Sequence, residues 1–517
     1  MLRVPLLAAC LVVGCGSSNE GRTPDGSAGN GGSTLTGGGP GNGGMPPTAG
    51  GGGRTSSAGS HTGGNAMQGA TGGRDSSGGR DSNGGRDSSG GQADGITGGK
   101  AGSGNSGGTL ALPSEGCVPL TALSDDAIIV TPDQSDELPR IVREAQVGAT
   151  IALADGTYRM TSSDEAARRI QITRAGITLR SASGQPESVI IDGEYRSEEM
   201  ITINASDVTV AGLTLMHAVN HPIHVMGGPT ENIRNVRLTG LRIIDAGEQF
   251  VKVNGSGKTP NTYADDGILE CSLLELTAQG RPQVEPNPGG CYTGGIDAHS
   301  AQGWVVRLNT FRGIYCEGSG LAEHAVHFWS ASRDTLVERN TIIDCARGIG
   351  FGLGDGSGAG ADREYEDDPS PDANGYVGHH GGVIRNNWIS ISEGNEYFDT
   401  GIELEQAHGV RVLHNTLLHP TTAFASIAPR FANTSVELAN NLMVSLRERD
   451  GATVGSSHDS MAASAELFVN ASTHDLHLAP SAAVAIDQGE AEDDAGLDID
   501  GNSHDRGPPD LGAHELR

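Results

Sequence analysis

Three short segments of the chain carry ionisable side chains at matching positions. Gly295-Ile-Asp297-Ala-His299 and Gly401-Ile-Glu403-Leu-Glu405 place these residues twelve and ten positions before an asparagine, and Ala325-Val-His327-Phe-Trp329 aligns with one extra residue. Successive side chains of a β-strand point to opposite faces, so the carboxylates and histidines should share one face and the aliphatic residues between them the other. Carboxylates and imidazoles within reach of one another can perform acid–base catalysis.

The same alignment extends this face in both directions. We call the aligned set the outward ladder, and its members are His224, Lys252, Asp297, His327, Gly350 and Glu403, with His299, Trp329 and Glu405 beside them. Neighbouring strands lie about 4.8 Å apart, so Lys252, Asp297 and His327 should touch and have coupled pKa values.

Two interpretations of the outward ladder are open. Titratable groups beside a tryptophan are typical of a polysaccharide site, because the indole stacks on sugar rings. The predicted catalytic residues are then Lys252, Asp297, His299, His327 and Glu403, and the predicted substrate-binding residues are Trp329, Glu405 and His224. The alternative is a structural ion ladder on a solvated sheet, since opposite charges on adjacent strands attract one another.

A short repeated phrase predicts the elements that hold this face. It consists of an apolar residue, two variable residues, a small residue or asparagine, one more residue and another apolar residue. Its asparagines are Asn309, Asn340, Asn387, Asn415 and Asn441, and weaker copies place Ala211, Thr239 and Ser272 at that position. A period of roughly 26 to 37 residues with β-branched strands indicates stacked coils. Asparagine suits a corner because it tolerates left-handed backbone geometry and its amide can bond the next coil.

Both ends of the repeat carry capping signals. Leu138-Pro-Arg-Ile-Val-Arg-Glu-Ala145 has helical periodicity and precedes a strand within Gly148–Tyr158. The combination resembles the start of secreted β-helix proteins of the pectin-lyase-like superfamily. That resemblance, with the right-handed rule for parallel crossovers, implies an all-β fold, a right-handed parallel β-helix solenoid with an N-terminal capping helix. Asp498–Glu515 resembles a C-terminal motif of secreted bacterial β-helix proteins, and predicts a Ca²⁺ site or, as we prefer, a cap held by an Arg506 ion pair.

A carboxylate cluster within Tyr263–Glu270 predicts a metal site. Its members are Asp265, Asp266 and Glu270. β-Helix lyases, which this chain resembles, use Ca²⁺ to neutralise the carboxylate of a uronate and to acidify the C5 proton of that sugar. A lysine near such an ion should have a lowered pKa, so Lys252 is the predicted base for a β-elimination, with His327 or His299 as the alternative. Adjacent aspartates also occur in acidic secreted proteins without any metal.

The N-terminus predicts export and lipid anchoring. Residues 1–15 have a positive start, a short apolar run and Val12-Val-Gly-Cys15, which resembles the lipobox of bacterial lipoproteins. Lipidation of Cys15 would anchor the chain in the bacterial cell envelope, at the outer membrane or cell surface, with no other membrane contact. The alternative is an ordinary secretory signal that is cleaved elsewhere. Residues 16–113 are rich in Gly and Ser and predict a disordered linker, and residues 114–517 form the predicted β-helix domain.

Composition limits the partners. The formal net charge of −30 argues against nucleic acid, which requires a basic surface. Five of the seven cysteines lie outside the signal region, so at least one thiol stays unpaired within the chain. These five are Cys117, Cys271, Cys291, Cys316 and Cys345, and Cys271 with Cys291 or Cys316 with Cys345 are possible bridges.

The expected function is that of a surface-anchored carbohydrate-active protein. A lyase or epimerase acting on an acidic polysaccharide, with Ca²⁺ as the possible cofactor, is the leading hypothesis. A non-catalytic glycan-binding or adhesin-like protein is the alternative, and a polysaccharide hydrolase is third. The interruptions of the repeat at about 255–292 and 354–378 are predicted to wall a binding groove.

Overall fold

Stacked parallel strands make up most of the protein. The computed structural model describes residues 116–284, 286–287, 290–318, 320–353 and 363–517, which belong to one compact unit. The predicted signal segment, Cys15 and the linker lie outside these residues, as does part of the second interruption, 354–362. Among the described residues, no helix is long and apolar enough to cross a membrane.

Three parallel sheets run the length of the solenoid, and their strands are counted within the described residues. The long sheet has fourteen strands: Ile128–Val130, Thr150–Leu153, Thr178–Ser181, Thr209–Ala211, Arg237–Thr239, Ile268–Glu270, Val305–Arg307, Ser332–Arg333, Leu336–Glu338, His379–His380, Val383–Arg385, Ala407–Leu413, Ser435–Ala439 and Thr453–Ser457. The ladder sheet has nine: Ile170–Ile172, Glu199–Ile203, His221–Met226, Gln249–Asn254, Gly294–His299, His324–Trp329, Arg347–Gly352, Thr400–Glu405 and Ala425–Arg430. The third sheet has nine: Gly156–Arg159, Val189–Asp192, Thr214–Ala218, Arg242–Ala246, Leu273–Glu275, Thr310–Arg312, Thr341–Ile343, Trp388–Ser390 and Thr416–Leu418.

Each full coil therefore has one strand in each sheet, as in Gly294–His299, Val305–Arg307 and Thr310–Arg312. The repeated phrase predicts only the last two of these strands. The remaining strand of each coil, which belongs to the ladder sheet, carries the outward ladder. The predicted parallel β-helix is confirmed, and its interior is filled by one continuous apolar core.

Buried asparagines stack along the turn between the long sheet and the third sheet. Asn340 Nδ2 donates to Asn387 Oδ1 in the next coil at 3.0 Å and to the Val306 carbonyl in the preceding coil at 2.9 Å. The same pattern joins Asn309, Asn340, Asn387, Asn415 and Asn441, and the stack ends on Asp459. The predicted amide bonding between coils is confirmed.

These corners differ from the prediction in two ways, in their backbone geometry and in the residues that occupy the asparagine position. The left-handed residue is the one before each asparagine, and these residues are Leu308, Arg339, Asn386, His414 and Asn440, with φ between 52° and 58°. Ala211 and Thr239 are also misplaced, because Thr239 pairs with Glu270 rather than with Ser272. The asparagine position in that coil is Leu241, whose N–H donates to Ser272 Oγ at 3.0 Å.

A helix caps the N-terminal end of the solenoid, as predicted. The helix Leu138–Glu144, preceded by the 3₁₀ turn Pro132–Glu137, buries Leu138 and Val142 against the first strand of the ladder sheet. A second short helix spans Glu165–Arg168. Further 3₁₀ turns span Pro186–Ser188, Arg281–Gln283, Ala465–Leu467 and Ala471–Thr473, and short strand pairs join Ile233–Arg234 with Ala264–Asp265, Pro286–Asn287 with Gly290–Cys291, and Phe468–Asn470 with Asp475–Leu478.

The C-terminal segment packs along the corners of successive coils, against Arg339, Asn386 and Thr416, rather than over the end of the solenoid, and Arg506 does not hold it. Asp498 is fully buried and accepts the backbone N–H groups of Asp500, Asn502 and Glu515 at 2.6–3.1 Å. Arg506 is exposed and forms none of the ion pairs found among the described residues. The Asp498 carboxylate is thus used for backbone hydrogen bonding, which fixes the loop.

The disulfide pairing differs from both bridges considered from spacing. Cys117 pairs with Cys271, and Cys291 pairs with Cys316. Cys345 is the free thiol, and burial raises its pKa to about 12. The neutral, buried thiol of Cys345 is therefore chemically inert.

Candidate active site

The strand register aligns the outward ladder as the spacing predicts. Each ladder residue pairs with the next, in the order His224, Lys252, Asp297, His327, Gly350 and Glu403. The opposite face packs into the core, and the fully buried residues there are Ile223, Val251, Ile296, Val326, Ile349 and Ile402. One face of the ladder sheet therefore brings together residues that lie up to 179 positions apart in the sequence (403 − 224).

Lys252 lies at the centre of the polar cluster on this face. Its ammonium forms a salt bridge with the Asp297 carboxylate and donates to His299 Nε2 at 2.9 Å. His299 Nε2 is also 3.3 Å from Asp297 Oδ2. The side chains of Lys252 and Asp297 are only 9% and 4% exposed, whereas that of His299 is 17% exposed. His299 is thus the member of this trio most accessible to a substrate.

The electrostatics correct the role predicted for Lys252. Burial alone lowers the pKa of Lys252, but the charge of Asp297 and the phenol of Tyr292 outweigh it, and the net pKa lies above 10.5. Burial likewise raises the pKa of Asp297, but Lys252, His299 and His327 hold it well below 3.8. Both groups are therefore charged at neutral pH. Lys252 cannot serve as the base predicted from a lowered pKa, because its ammonium has no lone pair.

His299 supplies the lone pair that Lys252 lacks. Burial, and then the charge of Lys252, lower the pKa of His299 below 6.5 despite the opposing charge of Asp297. Its imidazole is therefore neutral at pH 7. Because the Lys252 ammonium donates to Nε2, that nitrogen carries the lone pair and Nδ1 carries the proton.

Tyr292 is a functional candidate that the sequence patterns missed. It lies at the end of the first interruption, directly after the bridged Cys291, and close enough to Lys252 for the two groups to shift each other's pKa. Burial raises the pKa of Tyr292 above 10, against the lowering effect of Lys252. The phenol is therefore protonated at neutral pH. Tyr292 precedes its strand, so the alternation of strand residues gave no signal for it.

Trp329 and His327 support the cluster rather than face a ligand freely. Trp329 Nε1 donates to Asp297 Oδ1 at 2.7 Å. The indole ring stacks on the His327 ring, with 5.1 Å between the ring centroids and an interplanar angle of 9°. The His327 side chain is 1% exposed, and its Nε2 is 3.0 Å from the Gly352 carbonyl oxygen. One face of the indole is thus covered, and His327 is too deeply buried to contact a polymer directly.

His324 fills the gap that Gly350 leaves in the ladder. A side chain at Gly350 would collide with the His324 ring, whose atoms lie 2.8–2.9 Å from the position of a Cβ atom. His324 thereby lies between His327 and Glu403, with its Nε2 3.1 Å from Glu403 Oε2. Strict alternation assigns His324 to the inward face, which is why the sequence did not indicate it.

The ends of the ladder form separate polar networks. His224 Nδ1 is 2.5 Å from Glu199 Oε1, and its Nε2 is 3.0 Å from Asn254 Oδ1. Glu405 accepts from Arg430 at 3.1 Å. The structure therefore brings Lys252, Asp297, His299 and His327 into one cluster, with His224 at one side and Glu403 and Glu405 at the other.

The predicted calcium ligands do not form one site. Asp265 is buried and binds Arg363 through both carboxylate oxygens, at 2.5 and 2.8 Å. Asp266 pairs with Arg234 at 2.6 Å. Glu270 forms salt bridges with Arg237 and Arg307. Because every carboxylate already has an arginine partner, these residues do not fit a Ca²⁺ ion, and no catalytic step is assigned to one here.

Comparisons with known proteins give only distant similarities. No protein-family model matches the chain, and no curated protein matches it significantly. Among solved structures, it is similar to an alginate lyase from Paenibacillus sp. str. FPU-7, at 16% identity and a TM-score of 0.43 over 65% of this chain and 99% of that one. A pectate lyase shares 13% identity, with a TM-score of 0.42 over 77% and 98%. The A-module of a mannuronan C-5 epimerase from Azotobacter vinelandii shares 13% identity, with a TM-score of 0.35 over 65% and 93%. Similarities of this size assign no activity to this chain.

Proposed function

We propose that the chain is a carbohydrate-active enzyme that acts on a uronate-containing polysaccharide, as a lyase or an epimerase. The observation that carries the proposal is the cluster of His299, Tyr292 and Lys252, in which His299 and Lys252 lie on the outward face of the ladder sheet and Tyr292 precedes a strand of that sheet. A neutral imidazole and a protonated phenol flank a buried ammonium. An acid and a base with separated pKa values next to a fixed positive charge are the requirements for proton transfer at carbon.

Both candidate reactions begin with the same step. The C5 proton of a uronate is adjacent to the carboxylate carbon, and its removal leaves negative charge on that carboxyl group. His299 Nε2 takes this proton once the substrate displaces the Lys252 N–H from it, and the positive charge of Lys252 stabilises the developing anion. Asp297 acts as a positioning residue, because it holds the Lys252 ammonium and accepts the Trp329 N–H.

The second step distinguishes the lyase from the epimerase. In a lyase, the electron pair forms the C4–C5 double bond, the bond from C4 to the leaving oxygen breaks, and Tyr292 protonates that oxygen. In an epimerase, Tyr292 returns a proton to the opposite face of C5. In both cases the phenolate of Tyr292 and the imidazolium of His299 exchange protons with solvent before the next turnover.

The test uses the full chain and a panel of uronate polymers. A lyase raises ultraviolet absorbance as double bonds form, and an epimerase changes the ratio of C5 epimers without that absorbance. His299→Gln should lower either rate by about 10²–10⁴-fold, the range for removal of a general base. Full activity in His299→Gln would remove the base assignment, and inactivity of the wild-type chain on every polymer would remove the enzyme proposal.

A non-catalytic glycan-binding protein is the alternative. The burial and complete pairing of Lys252 and Asp297 favour it, since a satisfied buried ion pair also serves as structure alone. Retention of a uronate polymer by the wild-type chain, with no change in the polymer, is the result expected for this alternative.

A hydrolase is the third candidate, and Glu403 and Glu405 are the observation behind it. Despite its burial, the pKa of Glu403 falls to about 2 because His324 and neighbouring arginines stabilise its charge. Burial and the charge of Glu403 raise the pKa of Glu405. Carboxylates with separated pKa values can act as acid and base in glycoside hydrolysis. New reducing ends without double bonds would identify this reaction.

Lipid anchoring at Cys15 in the bacterial cell envelope is a further part of the proposal. Its support is the sequence alone, since Cys15 lies outside the described residues. Cys15→Ser should release the chain from the membrane fraction of expressing cells, and membrane retention of that variant would contradict the anchor.

A further inference from the structure

Two buried histidines present unpaired nitrogen atoms to the same carboxylate. His324 and His327 both have Nδ1 atoms that are buried and without a hydrogen-bond partner among the described residues. The Glu323 carboxylate lies next to both, with its Oε2 4.0 Å from His324 Nδ1 and 3.8 Å from His327 Nδ1. These three ligand atoms all lie within 4.8 Å of one another. We propose that Glu323, His324 and His327 bind a divalent transition-metal ion of the zinc class.

The far nitrogens of the two rings support this assignment. His327 Nε2 is 3.0 Å from the Gly352 carbonyl oxygen, and His324 Nε2 is 3.1 Å from Glu403 Oε2. Both partners are acceptors, so each Nε2 carries the proton and each Nδ1 carries a lone pair. Metal-binding histidines almost always donate their second N–H to a carboxylate or a backbone carbonyl in this way.

The burial of the two rings agrees with this geometry. The side chains of His324 and His327 are only 3% and 1% exposed. The charges around the three ligands are mixed, with Glu323, Glu403 and Asp297 negative and Lys252 and Arg347 positive. An unpartnered neutral nitrogen inside the protein is unfavourable unless a ligand occupies it.

The spacing suits a small ion after a modest contraction. Zinc bonds of about 2.0–2.2 Å place tetrahedral ligand atoms roughly 3.3–3.4 Å apart, about half an ångström closer than the separations seen here. The Glu323 side chain is 26% exposed, so it can move and can admit the ion from solvent. Three protein ligands would leave a fourth position open to water.

A second group of possible ligands provides a matched control. His477, Asp500 and His514 also lie within 4.8 Å of one another. His514 Nδ1, however, accepts the Leu478 N–H at 3.0 Å, so its Nε2 carries a proton and cannot bind a metal without rearrangement. Glu323→Gln should therefore weaken specific binding, and His477→Gln should not.

The experiment is calorimetric titration of the chelator-treated full chain with Zn²⁺, with Co²⁺ absorption spectra as a second readout. The wild type should bind one ion tightly, Glu323→Gln should bind at least tenfold more weakly, and His477→Gln should match the wild type. Thermal unfolding in chelator should be the same for all three proteins, which separates lost binding from lost folding. Absence of Zn²⁺ binding in the wild type, or equal affinity in Glu323→Gln, would overturn the proposal. Neither result bears on proton transfer by His299.

Discussion

At the scale of single residues, the central feature is a buried ion pair that is fully charged. Lys252 and Asp297 have lost most of their contact with water, and their mutual attraction, together with the contacts of His299 and Trp329, compensates for that loss. The cluster therefore fixes the charge and orientation of His299 before any ligand binds. Its removal should affect folding as well as activity.

The first prediction concerns the stability that this pair contributes. Asp297→Asn should lower the free energy of unfolding by about 3–5 kcal/mol, because it leaves the Lys252 charge buried without a counter-charge. The double variant Lys252→Met with Asp297→Asn should recover part of that loss. Chemical denaturation of the three proteins measures the difference. A single variant as stable as the wild type would show that the pair is not buried in solution.

The second prediction concerns the pH dependence of that contribution. The pKa of Asp297 is depressed in the folded chain, so its contribution is present above the ordinary value of 3.8 and is lost as the pH falls through the folded value. The pKa of Lys252 is raised, so its contribution is present below 10.5 and is lost as the pH rises through the folded value. The stability gap between wild type and the double variant should be constant from about pH 7 to about pH 10, since His299, whose pKa both groups shift, titrates only below that range. Urea unfolding at several pH values tests this, and a gap that changes near neutral pH would contradict it.

The third prediction concerns the rate of the proposed reaction. Because the pKa of His299 lies below 6.5, the base form predominates at pH 7, and the acid limb of kcat/KM should be centred below pH 6.5. The raised pKa of Tyr292 should keep the acid form present beyond pH 10. A pH profile of kcat/KM measures both limbs. An acid limb centred at or above neutral pH would argue against His299 as the base.

At the scale of elements, the asparagine stack fixes the register that aligns the outward ladder. Each asparagine satisfies backbone groups of two coils from inside the corner, where water has no access. The coils can therefore vary in length between corners, from 26 to 47 residues between successive asparagines, without a loss of alignment.

The fourth prediction follows from this stack. Asn340→Ala should lower the free energy of unfolding by about 2–4 kcal/mol, because it leaves buried N–H and C=O groups unpaired. Asn340→Ser should cost less, since Ser272 already occupies the equivalent place and accepts a backbone N–H there. Thermal or chemical unfolding ranks the two variants. Equal losses would show that volume, rather than hydrogen bonding, determines stability at this corner.

The regular elements also explain what could be predicted from the sequence. Alternation along strands and the spacing to the asparagines were sufficient to align His224, Lys252, Asp297, His327 and Glu403 correctly. The same rules failed for His324, which enters the outward face over Gly350 against strict alternation, and for Tyr292, which precedes its strand. They also assigned Ala211 and Thr239 to the asparagine position, which in the coil of Thr239 is occupied by Leu241, because these corners lack the asparagine that marks it.

Electrostatic roles were less predictable than positions. Lys252 was assigned a lowered pKa on the assumption of a nearby cation, but its neighbour is the Asp297 carboxylate and its pKa is raised. The carboxylates at 265, 266 and 270 have the spacing of a metal site, but arginines from other coils, and Arg363 from the second interruption, neutralise them. A sequence gives spacing along one strand, whereas charge balance depends on coils that lie far apart in the chain.

At the scale of the whole molecule, one disulfide joins distant parts of the chain and a second closes a short loop. The Cys117–Cys271 bridge closes a loop with a sequence separation of 154, and the Cys291–Cys316 bridge one of 25. The loop-entropy relation gives about 5 kcal/mol for the first and about 3.5 kcal/mol for the second. The first bridge connects the N-terminal end of the described residues to a central coil. In the second bridge, Cys291 directly precedes Tyr292.

The fifth prediction compares these bridges. Cys117→Ser with Cys271→Ser should lose more stability than Cys291→Ser with Cys316→Ser, by the difference in loop entropy. Only the second pair should also lower the rate of the proposed reaction, because it releases the segment that positions Tyr292. Unfolding and activity measured side by side test both statements. A larger loss of activity in the first pair would contradict the role given to Tyr292.

The most direct test of the whole account follows the C5 proton itself. Proton magnetic resonance of a uronate polymer, incubated with the full chain in heavy water, should show loss of the C5–H signal, through elimination or through exchange with deuterium during epimerisation. His299→Gln and Tyr292→Phe should slow this loss while both variants remain folded. An unchanged C5–H signal on every uronate polymer offered to the wild type, or an undiminished rate in His299→Gln, would contradict the account.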